Sequence, residues 1–374
     1  MRDQVLLSEN INSPVSNVDS NNLEILKNSK RRLELIICFS LFTAIFGAIL
    51  QTEMLALVGQ QGYKKPIQIM YFTHSCFFLL FPTQELLVYL QNRKRYASFM
   101  DFVVRRYNGY KATAATVASH NGHMVTNSTK FLTRVACILS LAVNSAGSSW
   151  YIAVNLTTPA DITAIYNCST FFAYLFSVIL LKEPISFLKS LSVALSIVGV
   201  FIIAYMTPSV NNEGITSESR NLGNLIIACG SVLYGLYDVL YKKLACMPTQ
   251  TAPSKQACFS NLIGSCIGVA TMLLMWPVLI FLHLYGIETF AIPSRKTLLY
   301  IIISIIGNVT YSGAFLILMA LTDPVLGSIS TLLGTCCVPF VEYILFGNKI
   351  TISEITGGLV IIIAFGLMVY ADKL

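Results

Sequence analysis

Long stretches without any charged side chain are the feature that most limits how this chain can fold. Residues 256–287 contain no Asp, Glu, Lys or Arg, and neither do residues 297–322. Only 11% of the chain is charged and 55% is hydrophobic, whereas ordinary soluble domains carry about 25% charged residues. Apolar runs longer than about 18 residues are typical of membrane-spanning helices. The sequence therefore predicts an all-α integral membrane protein.

Ten such stretches can be placed along the chain, so ten transmembrane helices are predicted. They lie near residues 33–58, 66–90, 131–155, 159–181, 187–206, 222–244, 257–284, 297–321, 324–346 and 353–372. Residues 1–32 precede the first stretch, and their Asn- and Ser-rich composition is typical of a disordered tail. Residues 91–130, between the second and third stretches, form a long basic loop.

The Lys and Arg residues are divided unequally between the two sides of the predicted membrane. If the N-terminus is cytosolic, eighteen of the 25 lie in cytosolic segments and six lie on the opposite side, while Arg134 falls just inside a span. Such an excess is characteristic of cytosolic loops in membrane proteins. We therefore expect the tail 1–32, the loop 91–130 and both termini in the cytosol. The net charge of +7 then reflects membrane orientation, and no nucleic-acid partner is expected.

The second half of the chain repeats the first with an offset of 165 residues. Leu-Thr-Thr-Pro at 156–159 returns as Leu-Thr-Asp-Pro at 321–324, and Tyr205 returns as Tyr370. The two copies are predicted to be residues 33–206 and 222–372, with five helices each. Because five is odd, the second copy enters the bilayer from the opposite side, and the result is a five-plus-five inverted repeat. This duplication is typical of secondary transporters, whose halves rock around a site held between them.

Polar side chains recur at helical spacing in four of the predicted spans, at matching places in the two copies. Asn144 and Ser148 lie four residues apart in span 3, and so do Asn308 and Ser312 in span 8. Polar groups in hydrocarbon need partners, so these faces are expected to point into the bundle. They either line a central cavity or bond neighbouring helices together. The candidate substrate-binding residues are Asn144, Ser148, Thr163, Tyr166, Asn167, Thr170, Tyr234, Asp238, Asn308, Ser312, Thr331 and Thr335.

Several ionisable residues near the spans have structural alternatives to a functional role. Asp161 fits a first-turn acid of a helix that Thr158 caps, and Asp323 takes the capping position in the second copy. Asp238 can pair with Lys242 one turn later. His74 lies deep in span 2, where it is either a hydrogen-bonded packing residue or a proton relay.

No Lys or Arg lies deep in any predicted span, and this limits the chemistry of the substrate. Burying a diphosphate without a positive partner is costly, so a nucleotide sugar is disfavoured. A neutral or cationic solute is favoured. A cation could use Asp238 or Glu53, and it could stack on the faces of Tyr166, Tyr174, Tyr234 or Trp150.

Three motifs resemble a known transporter family. They are Thr-Pro-Ala-Asp-Ile-Thr-Ala-Ile-Tyr-Asn at 158–167, Lys-Glu-Pro at 182–184 and Tyr-Gly-Leu-Tyr-Asp-Val-Leu-Tyr-Lys at 234–242. They resemble the drug/metabolite transporter superfamily (EamA-type), and most closely the F subgroup of solute carrier family 35 in a fungal-like form. The resemblance implies a ten-helix fold and a cargo of nucleotide sugars, organic cations such as thiamine, or other metabolites. The FYNN and GALNK motifs of GDP-mannose carriers are not present.

Together these features predict a secondary transporter that moves a small cationic or neutral organic metabolite, thiamine-like by the resemblance, by alternating access. A nucleotide-sugar antiporter of the Golgi or endoplasmic reticulum and a non-transporting membrane scaffold stay as alternatives. We expect no enzyme activity, because no catalytic constellation is present, and no metal or cofactor, because the ten cysteines have no ligand spacing. The expected partners are a small-molecule substrate and the lipid bilayer, with a homodimer and a coupling proton left open. Asp-Gln-Val-Leu-Leu at 3–7 fits a sorting signal for an endomembrane (vacuole, endosome or Golgi) rather than the plasma membrane.

Overall fold

A computed structural model describes residues 20–120, 128–154, 156–206, 216–247, 252–346 and 349–371. In these ranges the chain forms helices and no β-strand. The α-helices are α1 (Ser20–Gln60), α2 (Pro66–Ser75), α3 (Leu80–Asn92), α4 (Phe99–His120), α5 (Ser128–Ala153), α6 (Pro159–Asn167), α7 (Ser169–Phe176), α8 (Phe187–Met206), α9 (Ser217–Ala245), α10 (Pro253–Leu284), α11 (Arg295–Leu321), α12 (Pro324–Phe346) and α13 (Ile352–Ala371). The sorting motif at 3–7 lies outside the described residues.

Nine helical segments within the described ranges are long and apolar enough to cross a membrane. The predicted class, an all-α integral membrane protein, is confirmed. The stretch at 66–90 is not among the nine because it consists of two helices, α2 and α3, joined by a 3₁₀ turn at Cys76–Leu79. Ser265 of α10 donates a hydrogen bond to the carbonyl of Phe78 in this turn. Gly268 lets the backbone of α10 approach the same turn.

Large apolar side chains cover the outside of the bundle, as expected of a protein that faces lipid. Phe39, Phe42 and Ile363, on helices α1 and α13, expose more than half of their surface. The main buried apolar cluster lies between α5, α9, α10 and α11, and Leu139 and Tyr241 are fully buried in it.

Two helix crossings depend on glycines that face each other. A Cβ atom on Gly307 of α11 would lie 2.7 Å from the backbone nitrogen of Gln51 and 2.9 Å from the carbonyl oxygen of Gly47 on α1. A Cβ atom on Gly199 of α8 would lie 2.8 Å from the carbonyl oxygen of Gly357 on α13. Helices α5 and α9 form a third extensive contact. Small residues allow this close approach in membranes, where packing replaces the hydrophobic effect as the source of helix association.

The predicted caps of α6 and α12 are confirmed. The side chain of Thr158 accepts a hydrogen bond of 3.1 Å from the backbone N–H of Asp161, and Pro159 follows at the first helical position. In the second copy the carboxylate of Asp323 accepts a bond of 2.6 Å from the N–H of Leu326. Each cap satisfies a backbone donor that has no partner within its own helix.

Two segments contain more helix than the apolar pattern predicts. Helix α1 already begins at Ser20, before the first apolar stretch, and the basic loop 91–130 contains α4. Phe102 and Val117 of α4 are buried against the bundle, whereas Met100 and Tyr107 are exposed. Helix α4 is therefore amphipathic and lies beside the spans.

Candidate substrate cavity

A cavity of about 250 Å³ lies in the middle of the bundle. Its walls come from both halves of the chain, with residues of α1, α2, α5, α6 and α7 from the first half and of α9, α10 and α11 from the second. The aromatic residues of the lining are Phe77, Trp150, Tyr151, Tyr166, Tyr234, Tyr237, Tyr311 and Phe315. The polar ones are Gln51, Thr52, His74, Asn167, Ser169, Asn308 and Ser312. None of the lining residues within the described part of the chain is Lys or Arg.

The tyrosines of the lining form one connected wall. The ring centroids of Tyr166 and Tyr234 are 5.3 Å apart, and those of Tyr234 and Tyr237 are 5.9 Å apart. The hydroxyls of Tyr234 and Tyr311 form a hydrogen bond of 3.1 Å. Because Tyr166, Tyr234 and Tyr311 come from α6, α9 and α11, the wall joins three helices from the two halves of the chain.

His74 enters the lining through a hydrogen bond from behind. The Nδ2 atom of Asn144 donates to the carbonyl of Ser140 at 2.7 Å and to the hydroxyl of Thr271 at 2.8 Å, which fixes the direction of the amide. Its Oδ1 atom therefore faces Nδ1 of His74, at 3.0 Å, and accepts a hydrogen bond from the Nδ1–H group. A neutral His74 then keeps Nε2 as an acceptor. The predicted packing histidine is hydrogen-bonded, and it also lines the cavity.

Asp238 is completely buried immediately behind the tyrosine wall. Its Oδ2 atom accepts a hydrogen bond of 2.7 Å from Ser328, and within the described residues its Oδ1 atom has no hydrogen-bond partner. Tyr166 and Tyr234 are close enough to interact electrostatically with this carboxylate. The expected pairing with Lys242 is wrong, because the ammonium of Lys242 donates to the carbonyls at the end of α11, including Met319 at 3.1 Å.

Five of the predicted substrate-binding residues line the cavity: Tyr166, Asn167, Tyr234, Asn308 and Ser312. The other seven are not part of its described lining. Asn144 is hydrogen-bonded to the lining residue His74, and Ser148 donates to the sulfur of Met70. Thr170 and Asp238 are buried, whereas Thr163 and Thr335 are half-buried. The side chain of Thr331 lies outside the described residues.

The break in span 4 explains why its polar residues do not share one face. Helix α6 ends at Asn167, and the N–H of Cys168 bonds the carbonyl of Ile165 before α7 begins at Ser169. Beyond this tightened turn Thr170 is buried outside the lining, whereas Tyr166 lines the cavity. A continuous helix, as the spacing predicts, would have kept the two together.

Sequence reasoning missed several lining residues. Gln51 and Thr52 lie in span 1, where the repeat is weak and gave no reason to examine single polar residues. Tyr237 and Tyr311 are adjacent to the predicted Asp238 and Ser312. Both tyrosines line the cavity. The tyrosines of spans 6 and 8 are therefore the sequence feature from which these lining residues could have been predicted.

Two ion pairs connect the halves of the chain at opposite ends of the bundle. Near the start of α6, the carboxylate of Asp161 contacts Nε of Arg220 on α9 at 2.6 Å and also accepts a bond of 2.8 Å from the hydroxyl of Tyr205. Near the start of α8, Nζ of Lys189 contacts the carboxylate of Asp323, before α12, at 2.6 Å. In the predicted topology the first pair lies at the non-cytosolic end and the second at the cytosolic end. Asp161 is therefore an ion-pair partner as well as a first-turn acid.

Nothing in the described residues resembles a metal centre. No group of three or more His, Cys, Asp or Glu side chains in these ranges could hold a metal ion. All ten cysteines are free.

Comparison with known proteins gives one family and several relatives. Residues 102–205 match the EamA-like transporter family. An uncharacterized transporter of Schizosaccharomyces pombe is 28% identical over 249 residues, which cover 66% of this chain and 70% of the relative. A thiamine-repressible mitochondrial transport protein of Saccharomyces cerevisiae is 26% identical over 253 residues, which cover 64% of this chain and 65% of that protein. Solute carrier family 35 member F5 of Macaca fascicularis is 26% identical over 143 residues, covering 38% and 30%.

The fold also resembles that of a solved structure. One crystal structure covers 90% of this chain and 97% of its own, with a TM-score of 0.57 and 14% sequence identity. At this identity the likeness concerns the fold alone. The family match and the named relatives confirm the resemblance found in the motifs: the chain is similar to transporters of the EamA and solute carrier 35 type.

Proposed function

We propose that this protein is a secondary transporter that moves a small cationic or neutral organic metabolite, thiamine-like in size and charge, across an endomembrane by alternating access. The observation that carries the proposal is the composition of the cavity wall. Aromatic rings line it, no Lys or Arg does so in the described residues, and the buried carboxylate of Asp238 lies behind it.

The electrostatics of the wall favour a cation. Aromatic faces attract cations within about 6 Å of the ring centroid, by roughly 0.5 to 2 kcal/mol. Asp238 adds a carboxyl group whose Oδ1 atom has no partner within the described residues, and a cation in the cavity would favour its charged form. A diphosphate in the same place would meet this carboxylate without a guanidinium or ammonium group to neutralise it.

The size of the cavity favours a small metabolite over a nucleotide sugar. Its volume of about 250 Å³ lies just below the roughly 300–1,000 Å³ of ordinary ligand pockets. Among the relatives, the S. cerevisiae protein is named for repression by thiamine. We take thiamine, a small organic cation, as the first substrate to test.

The helix contacts support a ten-helix inverted repeat with copies at 33–206 and 222–372. Helices α1 and α11 are the predicted spans 1 and 8, and α5 and α9 are spans 3 and 6. Exchanging the two copies converts the first pair into the second. Helices α8 and α13 are spans 5 and 10, so the same exchange leaves their contact unchanged. A two-fold relation between inverted copies requires this pattern of contacts.

Alternating access follows from such a repeat because its two halves can exchange conformations. The pairs Asp161–Arg220 and Lys189–Asp323 each join one half to the other, at opposite ends of the bundle. In our proposal each pair separates when its own end opens.

Counterflow into proteoliposomes tests the function. Vesicles that contain the purified full-length chain and unlabelled thiamine should accumulate labelled thiamine above vesicles without protein, and a nucleotide sugar should not compete. Asn167→Leu, which removes a polar group from the lining, should abolish this accumulation. Exchange of a nucleoside monophosphate for a nucleotide sugar would overturn the proposal in favour of an antiporter. Folded protein that moves neither solute would indicate a scaffold.

Localisation and coupling complete the proposal. We place both termini in the cytosol and the protein in a vacuolar, endosomal or Golgi membrane. Imaging of a fluorescently tagged chain tests the address, and a mitochondrial signal would contradict it. An imposed pH gradient tests the coupling proton, because only proton-coupled uptake responds to it, and cross-linking in the membrane tests the homodimer.

A further inference from the structure

A second cavity, of about 550 Å³, lies away from the substrate site, at the end of the bundle that is predicted to face the cytosol. Helices α3 and α4 form most of its wall, and α5 and α10 contribute Leu132 and Leu262. Phe81, Leu86 and Phe102 are among its mainly apolar and aromatic lining. It shares no lining residue with the substrate cavity.

A neutralised polar cluster closes the inner end of this cavity. Arg106 donates from Nε and Nη2 to the two carboxylate oxygens of Glu85, at 2.6 and 2.5 Å, and the hydroxyl of Tyr110 donates to the same carboxylate at 2.6 Å. Contact with Glu85 raises the pKa of the Arg106 guanidinium above its usual range. The ion pair joins α4 to α3. Because its two charges cancel, the net charge of the lining comes from Lys111 at the rim.

The rim of the cavity carries one lysine and two hydroxyl groups. The exposed residue Lys111 lies in the lining together with Ser128 and Thr129. The basic run Arg-Lys-Arg at 93–95 precedes α4 on the same side of the predicted membrane. The cytosolic leaflet carries negatively charged lipids, which attract such clusters.

The outer face of α4 indicates that the cavity opens toward lipid. Phe99, Met100, Val104 and Tyr107 expose half of their surface or more, with Met100 at 67%. A helix with one face packed on the bundle and large apolar groups on the other is typical of helices that lie in the membrane interface. An apolar cavity beside such a helix is within reach of lipid acyl chains.

We propose that this cavity binds one anionic glycerophospholipid of the cytosolic leaflet. An acyl chain occupies the apolar part between Leu86, Phe102 and Val103, and the phosphate lies at Lys111. The apolar walls match the chain, and the basic rim matches the headgroup. The bound lipid fills the space under α4 and keeps this helix against the transport bundle.

Native mass spectrometry of the full-length chain tests the site, with phosphatidylserine and phosphatidylcholine of equal chain length as probes. The unsubstituted protein should retain one phosphatidylserine in clear preference to phosphatidylcholine. Val103→Trp fills the apolar part and should lower retention at least fivefold. Its matched control is Val104→Trp, at the neighbouring position outside the lining, which should retain the lipid. Lys111→Glu should remove the preference for phosphatidylserine, whereas Lys243→Glu, which changes an exposed lysine at the end of α9 outside the lining, should keep it.

Equal retention by the Val103→Trp and Val104→Trp variants would overturn the proposal, and so would equal retention of the two lipids by the unsubstituted chain. Leu86→Trp fills the cavity from the opposite wall and replaces Val103→Trp if that variant does not fold, as judged by its melting temperature. Because the readout is lipid binding and not transport, it stands or falls independently of the substrate proposed above.

Discussion

The aromatic wall allows a direct test of substrate charge at the scale of single residues. Replacing Tyr166 by Leu removes one ring from the wall and should weaken thiamine binding by roughly 0.5–2 kcal/mol, or about two- to thirtyfold in affinity. Tyr166→Phe keeps the ring and should retain most of the affinity. The concentration dependence of counterflow measures both. Phe171→Leu, on the lipid-exposed side of α7 and outside the lining, is the matched control and should behave as the unsubstituted chain. Loss in both leucine variants would point to a general packing effect.

Substitution of Asp238 tests whether its carboxyl group serves transport or stability. Its carboxyl group is buried with one hydrogen bond and one oxygen without a partner in the described residues, an arrangement that costs folding free energy. Asp238→Asn should therefore leave the melting temperature equal or higher, while thiamine counterflow falls at least tenfold.

The control for Asp238 is Asp101→Asn, which changes a carboxylate in the first turn of α4 that pairs with the exposed Arg105. It should alter neither transport nor the melting temperature of the bundle. A lower melting temperature for Asp238→Asn with unchanged transport would assign Asp238 to structure.

Single residues in the cavity were predictable where the local spacing was enough. Tyr166 and Asn308 follow from polar groups at helical intervals in a hydrocarbon setting. Asn144 and Asp238 do not, because their depth depends on His74 and Ser328, partners that lie far away in the sequence. Whether a residue is buried behind the cavity wall depends on how several helices pack together. The spacing of residues within one helix does not predict it.

At the scale of helices, the two ion pairs should control opposite ends of the bundle. Arg220→Gln removes the contact with Asp161 and should raise backbone hydrogen exchange at the start of α6 but not at the start of α8. Lys189→Gln removes the contact with Asp323 and should raise it at the start of α12 but not at the start of α6. Mass spectrometry of the reconstituted protein measures the exchange.

The control for the ion pairs is Arg105→Gln, which breaks a pair on the exposed surface of α4 and should change neither end. If both ion-pair variants loosened the same end, the pairs would not belong to separate gates.

The glycine crossings give a prediction about stability. A Cβ atom on Gly307 would meet backbone atoms of α1 at 2.7 Å, so Gly307→Ala should push α1 and α11 apart and destabilise the protein by about 1–3 kcal/mol. Gly366 of α13 has open space around the same position, and there Ala should stabilise the helix by up to about 1 kcal/mol. Melting temperatures in one detergent compare the two. Equal shifts would show that helix propensity, and not the crossing, decides the effect.

Helices with a continuous apolar pattern were predicted from the sequence, and irregular or amphipathic ones were not. The breaks at Cys76–Leu79 and at Cys168 carry no Pro or Gly, so no local signal marks them. The first coincides with a bond from Ser265 on another helix. Helix α4 was not predicted because half of its surface is polar, and a search for apolar runs does not detect such a helix.

At the scale of the whole molecule, the number of crossings decides whether the two copies are inverted. Nine segments of the described chain qualify as spans by length and composition, and nine crossings would put the termini on opposite sides. The region from Pro66 to Asn92 is the tenth candidate, although a 3₁₀ turn divides it. At about 1.5 Å per residue it reaches close to 40 Å, which exceeds a hydrocarbon core of about 30 Å.

We therefore expect ten crossings and both termini in the cytosol. Protease-accessible tags at residue 1 and residue 374 should both be cleaved in sealed vesicles whose cytosolic side faces outward. A tag in the turn at Gly62, between α1 and α2, should be protected until the vesicles are opened with detergent, which also controls for vesicle integrity. Five helices per copy then give opposite orientations to the two halves, as exchange of their conformations requires. Protection of one terminus alone would mean nine crossings, and the inverted repeat would have to be abandoned together with alternating access.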